Sequence, residues 1–170
     1  GKGTRRRLRE AMRWYRLAAE AGHVAAAYNL AMGLRRGDGL ARDLKASVRW
    51  FRFAAAAGDA EACNELGYCL HEGLGTRRNL KEAARWYRSA ARAGVLRSQF
   101  NLGLCYLDGH GVPKRLATAR YWLAKASARR HTNARRALAA LGRNAVPQAL
   151  VKRVTGNASA GTRASSGRTR

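Results

Sequence analysis

The chain's 170 residues are enough for one domain, and alanine swells an apolar fraction of 46%, as closely packed helices require. Net charge is +24, from 34 Lys/Arg against 10 Asp/Glu, and no acidic residue follows Asp108 while 14 basic ones do. Such a balance attracts polyanions and excludes the C-terminal third as a surface for basic partners. No apolar run reaches the ~18 residues of a membrane span, and Arg5-Arg6-Arg7 precedes an amphipathic stretch, unlike a secretory leader.

Taken in order, residues 1–4 read as a flexible lead. Residues 5–21 read as a helix, with Leu8, Met12, Tyr15 and Ala19 near helical spacing and Gly22 suited to a left-handed C-cap. This is the second helix of a unit whose first helix is missing, either an N-terminal cap or the edge of a fragment. Each full unit then has a first helix, a glycine loop and a second helix. In the clearest copy these are expected at 59–72 and 79–93, with Asp59 as N-cap. Ala62, Leu66, Gly67 and Leu70 should line the buried stripe of the first helix, and Gly73 and Gly75 bracket the turn. In the second helix Leu80, Ala83, Trp86, Tyr87, Ala90 and Ala91 make the apolar face, with Trp86 spanning to neighbours. Full units are assigned to 23–58, 59–94 and 95–130, with a partial unit at 131–142. Beyond Gly142 the pattern stops; 143–155 reads as a short capping helix with Pro147 near its first turn. Residues 156–170 have no large apolar side chain and read as a basic tail that orders only on a partner.

The units share a strict register. Trp14, Trp50, Trp86 and Trp122 stand 36 residues apart, and Gly37/Gly39, Gly73/Gly75 and Gly109/Gly111 repeat at the same interval. A fixed period in this range is the signature of a repeat array. The stretch from Asn101-Leu102-Gly103-Leu104-Cys105-Tyr106 through Gly109-His110-Gly111, then Ala119 and Tyr121-Trp122, resembles the Sel1-like repeat, a relative of the tetratricopeptide repeat. So does Asn64-Glu65-Leu66-Gly67-Tyr68 through Gly75, then Ala83, Trp86, Tyr87, Ala90, Ala91 and Gly94. The resemblance covers roughly residues 8 to 142. It departs at Ala31, Ala41 and Arg130, the last standing where Gly22, Gly58 and Gly94 stand in other copies. It implies an all-α, right-handed α-solenoid of 36-residue helix-turn-helix units, and a scaffold that grips protein segments on the inner face of its first helices.

Catalysis needs an acid, base or nucleophile fixed in a pocket, and no such set can be named. His23, His71, His110 and His131 read as loop residues, and Cys63, Cys69 and Cys105 as small core residues. Cys69-x-His71 with Cys105 and His110 lacks metal-ligand spacing, and the Gly-x-Gly turns lack the lysine and strand of a phosphate loop. Neither an enzyme, a metal nor a cofactor is expected. Three cysteines are too few for a disulfide framework, which favours reduced thiols in the cytoplasm or an organelle matrix.

Two surfaces stand out instead. Arg13, Arg49 and Arg85 precede a tryptophan, and Arg16, Arg52 and Arg88 follow two residues after it, three apart and so on one helix face. Arg42, Arg77, Arg78, Lys114 and Arg115 add a loop row, and the set forms a candidate polyanion-binding surface. The tryptophans occupy core positions, so base-stacking platforms are not expected beside these cations. The second surface is the inner groove, where Asn29, Glu65 and Asn101 share one repeat position and Tyr68 lies nearby. The expected function is a non-catalytic scaffold or adaptor for protein partners of acidic character. The alternative is an RNA-binding structural component of a ribonucleoprotein assembly.

Overall fold

A computed structural model describes residues 2–142, with side chains from Arg6 onward. Among the described residues there are eight helices and no strand: α1 (Lys2–Glu20), α2 (Val24–Arg36), α3 (Leu44–Ala56), α4 (Ala60–Glu72), α5 (Leu80–Arg92), α6 (Leu96–Asp108), α7 (Leu116–Ala128) and α8 (Thr132–Gly142). Each helix packs on its neighbours in sequence, which makes the all-α solenoid that the period implied. α2/α3, α4/α5 and α6/α7 are the full helix pairs, flanked by α1 and α8. The capping helix expected at 143–155 and the tail at 156–170 lie outside the described residues.

Local chemistry sets the boundaries. Asp43, Asp59 and Asn79 hold extended backbone before α3, α4 and α5, and each side chain accepts from an amide three residues on. α4 closes on Gly73, whose φ of 76° lets its own amide and that of Leu74 both donate to the Cys69 carbonyl. The N-terminal lead expected over residues 1–4 is replaced by helix from Lys2. No proline interrupts this stretch, and a single glycine at Gly3 costs only about 1 kcal/mol.

Neighbouring units lock through the second loop glycine. A Cβ on Gly75 would overlap the Leu44 carbonyl of α3, and one on Gly111 would overlap the Leu80 carbonyl of α5. Backbone therefore packs on backbone where each loop meets the preceding second helix, and only glycine leaves the room. The core itself corrects one expectation. Trp14 is 71% exposed, and Trp50, Trp86 and Trp122 are only partly buried. The residue after each tryptophan fills the interior instead: Phe51, Tyr87 and Leu123 are buried, and Tyr15 is partly so. One residue is 100° of helix, so a face centred on Tyr87, with Ala83, Ala84, Ala90 and Ala91 around it, leaves Trp86 on the flank.

Candidate interaction surfaces

The first helices α2, α4, α6 and α8 open a cleft of about 240 Å³ between them. Its wall is tied together by one carboxylate. Glu65 on α4 is 4% exposed and pairs with Arg35 on α2, while Arg97 on α6 approaches its second oxygen at 3.6 Å. The Asn64 amide donates to that same oxygen at 3.2 Å, and Asn64 in turn accepts from Ser98 at 2.7 Å. A buried carboxylate is tolerable only with such partners. Glu65 thus staples three successive units from inside the groove.

Of the groove residues expected from sequence, Glu65, Tyr68 and Asn101 line this cleft and Asn29 does not. Glu65 is a structural tie, because its oxygens are already occupied. Tyr68 and Asn101 are partly exposed and remain available. Burial, and then Glu72, push the Tyr68 hydroxyl above its ordinary range, so it stays a neutral donor and acceptor. Phe100 and Leu104 supply apolar wall, and one Asp108 carboxylate oxygen is buried without a hydrogen-bond partner. The sequence reading missed His71, His110 and His131, which come from three different elements to this one site. No periodic signal could have found them, since the three are not spaced by 36.

The cleft offers binding groups more readily than reacting ones. His71 Nδ1 lies 2.8 Å from Glu72 Oε1, and the His71 and His110 rings are 5.5 Å apart. The nearby nucleophile candidate is Cys105, whose thiol burial pushes up to about 12, so it holds its proton at neutral pH. Burial likewise pushes Cys69 up to about 11. No group of three or more His, Cys, Asp or Glu among the described residues is placed to hold a metal ion.

On the opposite side, Arg13, Arg16, Arg49, Arg52 and Arg85 are exposed on α1, α3 and α5. Arg88 departs from this row: it is partly buried and donates to the Tyr106 hydroxyl at 2.9 Å. Arg52 is exposed but paired, 2.5 Å from Glu82 of the next second helix. Glu82 loses some ease of ionisation to burial, but hydrogen bonds from Arg52 and Trp86 outweigh that and lower its pKa. In the loops Arg77, Arg78, Lys114 and Arg115 are exposed, with Arg78 donating to the His71 carbonyl. Arg77 and Arg115 fall out of register with the others: one repeat either side of Arg77 stand Ala41 and Pro113, and one and two repeats before Arg115 stand Asn79 and Asp43.

The sequence profile of the Sel1 repeat matches residues 1–23, 24–59, 60–95 and 96–131. The chain belongs to the Sel1 repeat family. This Sel1 repeat chain is 36% identical to a Sel1 repeat protein from Oxalobacter formigenes, with a TM-score of 0.68 over 71% of this chain and 48% of that one. It is also 36% identical to a protective antigen of uropathogenic Escherichia coli strains displaying an SLR fold, with a TM-score of 0.70 over 72% of this chain and 26% of the antigen. Cysteine rich protein B of Helicobacter pylori shares the fold at 21% identity, with a TM-score of 0.60 over 79% of this chain and 97% of that one. The chain thus spans about half of the first of these proteins and about a quarter of the second. No curated protein matches it. Among the described residues no helix is long and apolar enough to cross a membrane.

Proposed function

We propose that this chain is a non-catalytic repeat scaffold or adaptor whose inner cleft docks a segment of a partner protein. The observation that carries this reading is the cleft itself, where α4 brings Tyr68 and α6 brings Phe100, Asn101 and Leu104 to one concave site. Apolar wall with a few convergent polar groups is the usual make-up of a recognition pocket. Beyond the Glu65–Arg35 pair, the cleft presents Glu72, Asp108 and Arg97, so the docked segment has both acceptors and a donor to meet. A field from +24 of net charge steers acidic partners toward the solenoid before they dock. Three buried free thiols fit a reducing intracellular compartment.

Selection of peptides from a random display library against the whole chain tests this. Binders should lose about 10-fold or more in affinity to a Tyr68→Ala/Asn101→Ala variant, the scale of one or two truncated anchor contacts. Selected peptides that bind the variant as tightly as the parent place recognition elsewhere and end the proposal for the cleft.

A further inference from the structure

The outer face of the second helices carries a lattice of cations larger than the arginine rows alone. Arg6, Arg42 and Arg78 are 36 residues apart; so are Arg9, Lys45 and Lys81; so are Arg13, Arg49 and Arg85; so are Arg16, Arg52 and Arg88. On α1 these positions step by three, four and three residues, which confines them to an arc of roughly 80°; on α3 and α5 the last three positions keep that spacing, and Arg42 and Arg78 lie in the loops just before them. That arc lies opposite the buried Ala83, Ala84, Tyr87, Ala90 and Ala91, so the lattice faces away from the core. The α1 row is about 15 Å long, and successive second helices stand close enough for Arg52 of α3 to meet Glu82 of α5. Eleven of the twelve side chains are exposed, Arg88 being the exception. Arg9, Arg13, Arg16, Arg42, Lys45, Arg49 and Lys81 make no hydrogen bond or ion pair within the described residues. So many unneutralised cations held in register repel one another, and a bound polyanion relieves that.

The kind of polyanion is narrowed by residue choice and by what lies between the cations. Ten of the twelve are arginine, whose planar fork suits phosphate oxygens and stacks on flat rings. Exposed rings border them: Trp14, 71% exposed, lies on the flank next to Arg13, and Phe53, 40% exposed, is one helical turn beyond Arg49. This overturns the expectation that no ring would be available on this side. Cations that track a backbone, with rings on which bases stack, are the pattern of single-strand recognition. The lattice ends at α7, where the corresponding positions are Lys114, Ala117, Tyr121 and Ala124.

We propose that the outer face of α1, α3 and α5 binds a single-stranded nucleic acid through its phosphates, with Trp14 and Phe53 stacking on bases. This surface is independent of the inner cleft. The test is fluorescence anisotropy of a labelled oligouridylate of about 16 nucleotides, long enough to cross the lattice, with the whole chain at several salt concentrations. About six phosphate contacts give a log–log salt slope of about −4. Arg13→Gln/Arg49→Gln should weaken binding about 25-fold at about 0.1 M salt and flatten the slope by about 1.4. Neither side chain holds another part of the protein, so the variant keeps its fold, which its thermal melt verifies. Trp14→Ala should weaken binding further without changing the slope, because stacking releases no counterions. The charge-matched pair Arg135→Gln/Arg136→Gln on α8 should leave both readings near the parent's. Equal losses from the two arginine pairs reduce the lattice to non-specific net charge and overturn the proposal. Tighter binding to phosphatidylserine vesicles or to a polyglutamate peptide, with the same dependence on Arg13 and Arg49, overturns it too.

Discussion

Replacing Gly75 by alanine tests whether units couple through backbone contact at the loop glycine. Two penalties apply. Alanine at φ +69° costs about 1–2 kcal/mol, and its Cβ drives into the carbonyl and side chain of Leu44, an overpacking term of about 1–3 kcal/mol. Gly58 isolates the first penalty, because its φ is +93° but nothing lies within 4 Å of an added Cβ. Less conformational entropy in the unfolded chain offsets part of the cost by a similar amount in both variants. Gly58→Ala should therefore destabilise by about 1 kcal/mol and Gly75→Ala by about 3 kcal/mol, near 2–4 °C and 6–12 °C of Tm. Because an array holds together through nearest-neighbour interfaces, Gly75→Ala should also lower the urea m-value as the halves uncouple. The assay is urea unfolding followed by far-ultraviolet circular dichroism and by tryptophan emission. A difference under about 0.5 kcal/mol between the variants, with unchanged m, refutes the claim that backbone contact at Gly75 couples the units.

Arg130 takes φ 63° where Gly22, Gly58 and Gly94 take 92–93°, so Arg130→Gly should stabilise the fold by about 0.5–1 kcal/mol, read as a higher Tm. Burial lowers the pKa of His131, whose Nδ1 accepts from the Ala134 amide and whose ring stacks on Phe100 at 4.6 Å. A histidine with a lowered folded pKa leaves the unfolded chain binding more protons, so its stabilisation is full above about pH 6.5 and falls as pH drops below that value. His131→Asn keeps a capping acceptor and should flatten stability against pH between about 7 and 5. An unchanged slope in urea titrations across that range assigns the pH dependence to other groups.

The fold was legible because a repeat states its answer several times. A 36-residue interval in tryptophan, glycine and leucine forces one supersecondary unit to recur, and stacking is the only way such units bury their apolar faces. The caps at Asp59 and the glycine turn at Gly73 were readable for the same reason, since both act within a few residues of sequence. The candidate surfaces were half legible. The arginine rows announce themselves by period, and the extra rows at Arg9, Lys45 and Lys81 obey the same interval. Periodicity says nothing about which cations are already engaged: Arg52 is paired with Glu82 and Arg88 with Tyr106 across elements 30 and 18 residues apart.

By itself the sequence determined the period, the helix pairs, the cap residues and the excess of positive charge, all carried by local chemistry repeated along the chain. Tertiary structure decided the rest. It turned Phe51, Tyr87 and Leu123 inward ahead of the tryptophans, because facing helices choose the buried face by angle and fit rather than by size. It made Glu65 a staple between Arg35 and Arg97, and it gathered His71, His110 and His131 at one cleft, because stacking brings separate units together at positions that no repeat interval encodes.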